Sequence, residues 1–346
     1  MKHRGEEPER NLGDGVSWRR GCLIGKGSFG RVYLGYSKSQ NKNAFCPYPP
    51  VMAVKSAEIS DSATLQKEKE TLFNLQSPNI LTCFGEEITT SDNGSSIYNL
   101  LLEYCSGGTL DHLIHQSGGR GLPESNARHY TRSILNGVSY IHENGYVHCD
   151  LKPDNVLLVP TPDYDNAKNF VAKIGDFGSA KRYYFKDSNK KRRVDPEMRG
   201  TLMYLSPEVV NDNVQGPPSD IWAVGCIVLQ MLTGKPPWKD KSEFLDQMGH
   251  GGKTPEIPGE ISDEAKDFIK RCFVRNPMFR FTAEMLLNHP FVSDLRGDDD
   301  DDDDDDGSGE LLWPMYCVDD ECSSSLFLDD ECLNPIFMAN GPMPAK

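Results

Sequence analysis

The chain is 346 residues long, 37% hydrophobic and 26% charged, a balance that suits a folded protein with a large buried core. Its net charge of −15 comes from one end: 17 of the 52 acidic residues but only two of the 37 basic ones lie beyond residue 292, leaving 35 of each sign in residues 1–292. The neutral body does not imply a basic nucleic-acid surface, and no run reaches the ~20 apolar residues of a membrane helix, so neither nucleic acid nor membrane is expected as a partner.

Residues 1–17 are polar, contain glycine and proline, and have no apolar stretch behind Lys2, His3 and Arg4, so they read as a flexible leader without a secretory signal. From Trp18 to about Tyr104 the chain has strand texture. Val32, Leu34 and Tyr36 alternate along Arg31–Tyr36, and Val51–Lys55 and Ile97–Glu103 also read as strands. Between the first two, 37–50 is a long loop with three prolines. Leu65, Leu72 and Leu75 recur at i, i+7 and i+10, predicting a helix over 64–76 that Pro78 stops.

From Gly107 the texture turns helical. Pro123–Glu143 places Ala127, Tyr130, Ile134, Val138 and Ile141 at helical spacing, with Pro123 suited to the first turn. Asp220–Leu232 is apolar nearly all round, as a helix inside a large core is. Asp263–Val274 and Thr282–Leu287 read as shorter amphipathic helices. A strand-rich lobe over 18–104 and a larger helical lobe over 105–292 make the class α+β. After them, 293–346 with its nine aspartates, Asp298–Asp306, reads as a disordered acidic tail.

Gly25-Lys-Gly-Ser-Phe-Gly30 fits G-x-G-x-x-G, a weak signal alone. A dinucleotide site needs strand, glycines and then helix, whereas here a strand follows the glycines. A hairpin whose bare backbone closes over phosphates fits better, the pattern G-x-G-x-x-G-x-V ending on Val32; an ordinary glycine-rich turn is the plain alternative for the loop by itself. Lys55, at the end of the next strand, offers an ammonium to the phosphates. A buried lysine needs an anion. Glu68, three residues after Leu65 and four before Leu72, lies on the apolar face of the helix, whereas Glu70 is turned about 200° away toward solvent. The Lys55–Glu68 pair follows.

Val147-His-Cys-Asp-Leu-Lys-Pro-Asp-Asn155 comes after the long helix, and Asp176-Phe-Gly178 begins 26 residues past Asp150. Phosphoryl transfer needs a carboxylate to orient and deprotonate the acceptor hydroxyl, oxygen ligands to hold Mg2+ against a triphosphate, and positive charge. Asp150, then Asn155 with Asp176, then Lys152 with Lys55 meet those needs. Each has a structural alternative, such as capping a turn. The ordered set, extended by Ser206-Pro-Glu208, Asp220-Ile-Trp-Ala-Val-Gly225 and Arg280, resembles the protein-kinase superfamily over 18–292.

That resemblance implies a two-lobed fold: a small antiparallel sheet with one main helix, above a larger helical lobe. It implies ATP and Mg2+ as cofactors. The nucleotide would lie against Ile24, Gly25, Lys26, Gly27, Ser28, Phe29, Gly30, Arg31, Val32 and Lys55, with Glu103 and Cys105 in the adenine-binding hinge. It further implies a gatekeeper at Leu102, a regulatory stack of Leu72, His148 and Phe177, and a Glu208–Arg280 pair. Asp150–Asn155 with Gly200-Thr201 resembles the serine/threonine class. Trp18–Gly30, Met52–Ala57, Ser206–Val210, Gly216–Trp222 and Leu232–Trp238 are similar to plant MEKK-like mitogen-activated protein (MAP) kinase kinase kinases, especially the branch linked to abscisic-acid and stress signalling. This implies a downstream MAP kinase kinase as substrate, modified on serine or threonine in its activation loop. The alternatives are a kinase outside that cascade and a pseudokinase scaffold; Lys55, Asp150, Asn155 and Asp176 all being present argues against the scaffold.

One position departs from the family. Cys149 stands where an arginine commonly receives the activation-loop phosphate, so control by abundance, partners or turnover is expected, with phosphorylation of Ser179, Ser188 or Thr201 secondary. Lys181 remains as a basic partner, and Thr201 is expected to serve structure near Asp150. The thiol itself is expected to be buried and inert. Ten cysteines without a CxxC pair suit reduced thiols, hence the cytoplasm and/or nucleus, rather than disulfides or zinc. Lys190–Arg193 matches either a nuclear-import signal or a solvated activation-loop patch. In the tail, acidic-apolar alternation over 311–337, with Trp313, Leu326, Phe327 and Ile336, offers a stripe for a regulatory partner, an inhibitory fold-back segment, or only a solubilising extension.

Overall fold

The computed structural model describes residues 11–27, 30–38, 48–161, 170–183, 198–248 and 252–293. Ser28, Phe29, Ser188, the Lys190–Arg193 cluster and the acidic tail from Asp294 lie outside the described residues.

Strands β1 (Trp18–Gly27), β2 (Gly30–Ser37), β3 (Val51–Glu58), β4 (Cys83–Thr90) and β5 (Ser96–Leu102) form an antiparallel sheet in the order β1-β2-β3-β5-β4. Strands β2 and β3 contain two of the predicted strands and β5 the third as far as Leu102; β1 and β4 are additional. The register of β1 shifts twice between Arg20 and Gly25, which breaks its alternation. Strand β4 is a polar edge with a shift at Cys83/Gly85 and an exposed Ile88. The period of two sorts the rest. Ala53, Leu100 and Leu102 join the main core, while Met52, Val54 and Leu101 pack with Trp18 on the opposite face.

Residues 11–17, expected as part of a loose leader, are tied to this sheet. Thr89 Oγ1 donates to Leu12 O at 2.7 Å, Val16 N donates to Glu87 Oε1 at 2.7 Å, and Asp92 N donates to Asn11 O at 3.1 Å. Arg20 reaches across the sheet to Ser56 Oγ (2.9 Å) and Asn99 Oδ1 (2.7 Å), and burial pushes its guanidinium down to about 10.

Helix α1 (Ala63–Asn74) buries Leu65, Glu68 and Leu72 and exposes Glu70, as the periodicity requires. It ends two residues before the predicted Gln76 because Leu75 is already extended, at φ −117°. The helical lobe begins with α2 (Leu110–Gln116), capped by Thr109 Oγ1, which accepts from His112 N. Next comes α3 (Glu124–Glu143), where Pro123 stands at the cap instead of inside the first turn. Two short antiparallel pairs follow: β6 (Tyr146–Val147) with β9 (Lys181–Arg182), and β7 (Val156–Pro160) with β8 (Phe170–Ile174).

After α4 (Pro207–Asp212), helix α5 (Pro217–Thr233) starts on two prolines and stops at Gly234, whose φ of 67° suits glycine. Every residue of α5 from Ser219 to Met231 is buried, which answers the all-round apolar pattern. The described residues end with α6 (Lys241–Asp246), α7 (Asp263–Cys272), α8 (Ala283–Leu287) and α9 (Pro290–Ser293). Among the described residues no helix is long and apolar enough to cross a membrane.

Candidate active site

A cleft of about 720 Å³ lies between the sheet and the helical lobe. Its apolar walls come from Ile24, Val32, Ala53, Leu102 and Leu157, its floor from Asp150, Lys152, Asn155 and Asp176, and the chain Glu103–Cys105 borders it. The β1–β2 hairpin covers one side, with Gly25 opposite Val32 and Gly27 opposite Gly30. Gly30 has φ 153°, and a Cβ there would sit 2.6 Å from Ser56 O, so only glycine brings β2 this close to β3. Of this expected set, Ile24, Lys26, Gly27 and Val32 line the cleft; Gly25 and Gly30 hold the hairpin, and Arg31 is exposed opposite Ser56.

Strand β3 sets Lys55 between Val32 and Leu100 in register and aims it at α1. Lys55 Nζ donates to Glu68 Oε2 at 2.7 Å and to Asp176 Oδ1 at 3.0 Å. Burial alone would lower the pKa of this lysine, but the charges of Asp176 and Glu68 outweigh it and leave the ammonium above its ordinary value. One cation serves two carboxylates unequally. Burial leaves Glu68 above the usual carboxylate range despite Lys55, whereas at Asp176 the Lys55 charge overcomes burial and holds the group below it. Glu68 Oε1 also accepts from Phe177 N at 3.3 Å, so α1 grips the turn after Asp176.

The floor is built from two residues in the left-handed region, Cys149 (φ 71°) and Asp176 (φ 55°). Asp220, at the start of α5, accepts from His148 N at 2.9 Å and Cys149 N at 3.0 Å and pairs with His142 Nε2 at 2.9 Å. Asp150 then faces the cleft. Its Oδ1 accepts from both N and Oγ1 of Thr201 at 2.8 Å. Its Oδ2 lies 3.3 Å from Asn155 Nδ2 and 4.0 Å from Lys152 Nζ. His148 donates through Nε2 to Gly175 O at 3.0 Å and meets Phe177 edge-on, with ring centroids 4.9 Å apart. Helix α1, which carries Leu72, packs on the turn containing Phe177, so the expected stack has a physical basis. Arg280 forks onto Glu208 at 2.7 and 2.9 Å over the Trp222 ring.

The donor set fits a magnesium triphosphate. Asn155 commits Nδ2 to Asp150 O at 2.8 Å, which would leave its amide oxygen for the metal, and Asp176 would supply a carboxylate. Among the described residues there is no larger group of His, Cys, Asp or Glu able to hold a metal, and Mg2+ asks for only one or two protein oxygens beside phosphate.

A family model, the protein kinase domain, matches residues 18–292. The chain belongs to the protein kinase family. Mitogen-activated protein kinase kinase kinase 20 of Arabidopsis thaliana is 42% identical to it over 290 residues, which is 82% of this chain and 80% of that protein. The kinase kinase kinases 17 and 18 of the same plant are each 38% identical, over 80% of this chain and 70% and 78% of their own lengths. The kinase is thus of the MAP kinase kinase kinase type, among serine/threonine enzymes that use ATP with Mg2+.

Sequence reasoning missed three parts of this site. Lys173, on β8, pairs with both oxygens of Glu103 at 2.8 Å and so ties the hinge to the strand before Asp176; nothing in its spacing marks it. Asp220 stood in a recognised motif, but its grip on the catalytic loop is visible only in three dimensions. Gln215, buried and donating through Nε2 to Cys149 O and Arg199 O, carried no signal at all. The thiol of Cys149 is buried and pushed up by that burial, in keeping with an inert cysteine.

Proposed function

We propose that this kinase transfers the γ-phosphate of ATP to serine or threonine in the activation loop of a downstream MAP kinase kinase. Asp150 acts as the general base. Thr201 fixes its Oδ1, so Oδ2 is the oxygen that takes the proton of the acceptor hydroxyl. Lys152, 4.0 Å away, offsets the charge that develops there. Lys55, oriented by Glu68, holds the phosphates, and the hinge backbone of Glu103 and Cys105 borders the adenine. Asn155 and Asp176 are the residues that would hold magnesium, which when bound would offset the negative charge of the phosphates. The double hold of Thr201 on Asp150 Oδ1 is the observation that carries the reading.

The plant stress and abscisic-acid branch is the setting we propose, supported by the segments Trp18–Gly30 and Gly216–Trp222, in the cytoplasm and/or nucleus. Control mainly by abundance, partners or turnover, with loop phosphorylation secondary, is supported by the buried thiol at 149, which does not bind a phosphate as an arginine does. The acidic-apolar stripe over 311–337 is the segment proposed to meet a regulatory partner. The test is phosphate transfer from labelled ATP to a panel of kinase-dead MAP kinase kinases, with the modified residue mapped. Transfer only to a general acceptor protein would remove the cascade assignment.

A further inference from the structure

Cys149 holds a backbone conformation that a residue with a Cβ disfavours, immediately before Asp150. Its peptide groups are gripped on both sides. Cys149 N donates to Asp220 Oδ1 at 3.0 Å, and Cys149 O accepts from Gln215 Nε2 at 3.1 Å. The same Gln215 nitrogen donates to Arg199 O at 3.2 Å. An amide nitrogen carries two hydrogens, and here each has a carbonyl to meet. One neutral side chain thus links the residue ahead of Asp150 with the residue two places ahead of Thr201.

The two backbones meet closely at this point. Gly200 has φ 104°, and a Cβ there would fall 2.4 Å from Cys149 O. Directly after it, Thr201 gives both its N–H and its hydroxyl to Asp150 Oδ1. Gln215 is only 7% exposed. Its Oε1 and the Ser206 hydroxyl oxygen are buried without hydrogen-bond partners among the described residues. Both residues line a cavity of about 10 Å³, room for one water that would carry the link on to the start of α4.

We propose that Gln215 is a positioning residue for phosphoryl transfer: by joining Cys149 O to Arg199 O it holds the catalytic loop and the activation segment in the register that lets Thr201 orient Asp150. This rests on Asp150 being the general base. Gln215 touches neither nucleotide nor acceptor in this account, so it acts on turnover through Asp150 and leaves nucleotide affinity alone.

The test is a double-mutant cycle in the full chain, measuring kcat and the KM for ATP in wild type, Asp150→Asn, Gln215→Met and the double variant, with thermal unfolding of each. Gln215→Met keeps the length of the side chain and removes both donors; Gln215→Glu is the second choice if the first does not melt cooperatively. The expected result is a kcat lowered about ten- to a hundredfold, the worth of two hydrogen bonds, with the KM for ATP within about twofold of wild type. In the Asp150→Asn background the same substitution should cost less than about twofold, because the group it positions is gone. Equal losses in both backgrounds, a kcat within about twofold of wild type, or loss of cooperative melting in both Gln215 variants would each overturn the proposal. Near-normal transfer by Asp150→Asn alone would instead remove the general-base reading, a separate result.

Discussion

Replacing Glu68 by glutamine tests the electrostatic centre of the cleft. The wild-type carboxylate accepts twice, from Lys55 Nζ at 2.7 Å and from Phe177 N at 3.3 Å. Glutamine has one accepting oxygen, so its NH2 end must face either the ammonium or the peptide N–H. Because Asp176 still stands 3.0 Å from Lys55, the cation is not stranded, and the loss stays below the about 3–5 kcal/mol of a buried pair with one partner removed. One hydrogen bond to a charged group is worth about 1.5–3 kcal/mol. At about 1.4 kcal/mol per factor of ten, kcat/KM for ATP should fall about 10- to 150-fold. Lys55 would then lean on Asp176, a magnesium ligand in this account, so the fall should include a higher KM for ATP. The assay is initial rate against ATP at fixed excess magnesium, with thermal unfolding to show that the variant is folded. A folded variant with kcat/KM within about twofold of wild type would refute the reasoning and show that Asp176 alone orients Lys55.

Arg280→Met leaves Glu208, 8% exposed, without its fork and should lower the unfolding free energy by about 3–5 kcal/mol, read by denaturant unfolding; adding Glu208→Gln should recover part of the loss. Asp176 has its folded pKa held below its ordinary value of 3.8, so its stabilising contribution is present above that value and disappears as pH falls through the folded one. The stability gap between wild type and Asp176→Asn should therefore close as pH drops below about 4, and a gap that stays constant across that range would contradict the pairing with Lys55.

Local rules made much of this kinase legible. Glu68 was separable from Glu70 because a helix turns 100° per residue and only one of them shares a face with Leu65 and Leu72. The order Lys55, Asp150, Asn155, Asp176 was readable because phosphoryl transfer requires those groups together. Other features depend on contacts between distant segments. Strand β1 loses its alternation to register shifts, and β4 is a polar edge, so neither shows the pattern of a half-buried strand. Residues 11–17 look like a leader in composition, yet they bond to β4 largely through backbone groups that composition does not report. Lys173 and Gln215 act 70 and 66 residues from Glu103 and Cys149, a separation no local period can announce.

The central claim is that Asp150 deprotonates a hydroxyl presented by a downstream kinase. The direct measurement is single-turnover transfer from labelled ATP to kinase-dead MAP kinase kinases, by wild type and by Asp150→Asn, with nucleotide affinity measured alongside. The account predicts labelled serine or threonine in one acceptor's activation loop and a loss of about 10²- to 10⁴-fold in the variant at unchanged nucleotide affinity. Transfer by the variant at close to the wild-type rate would contradict it.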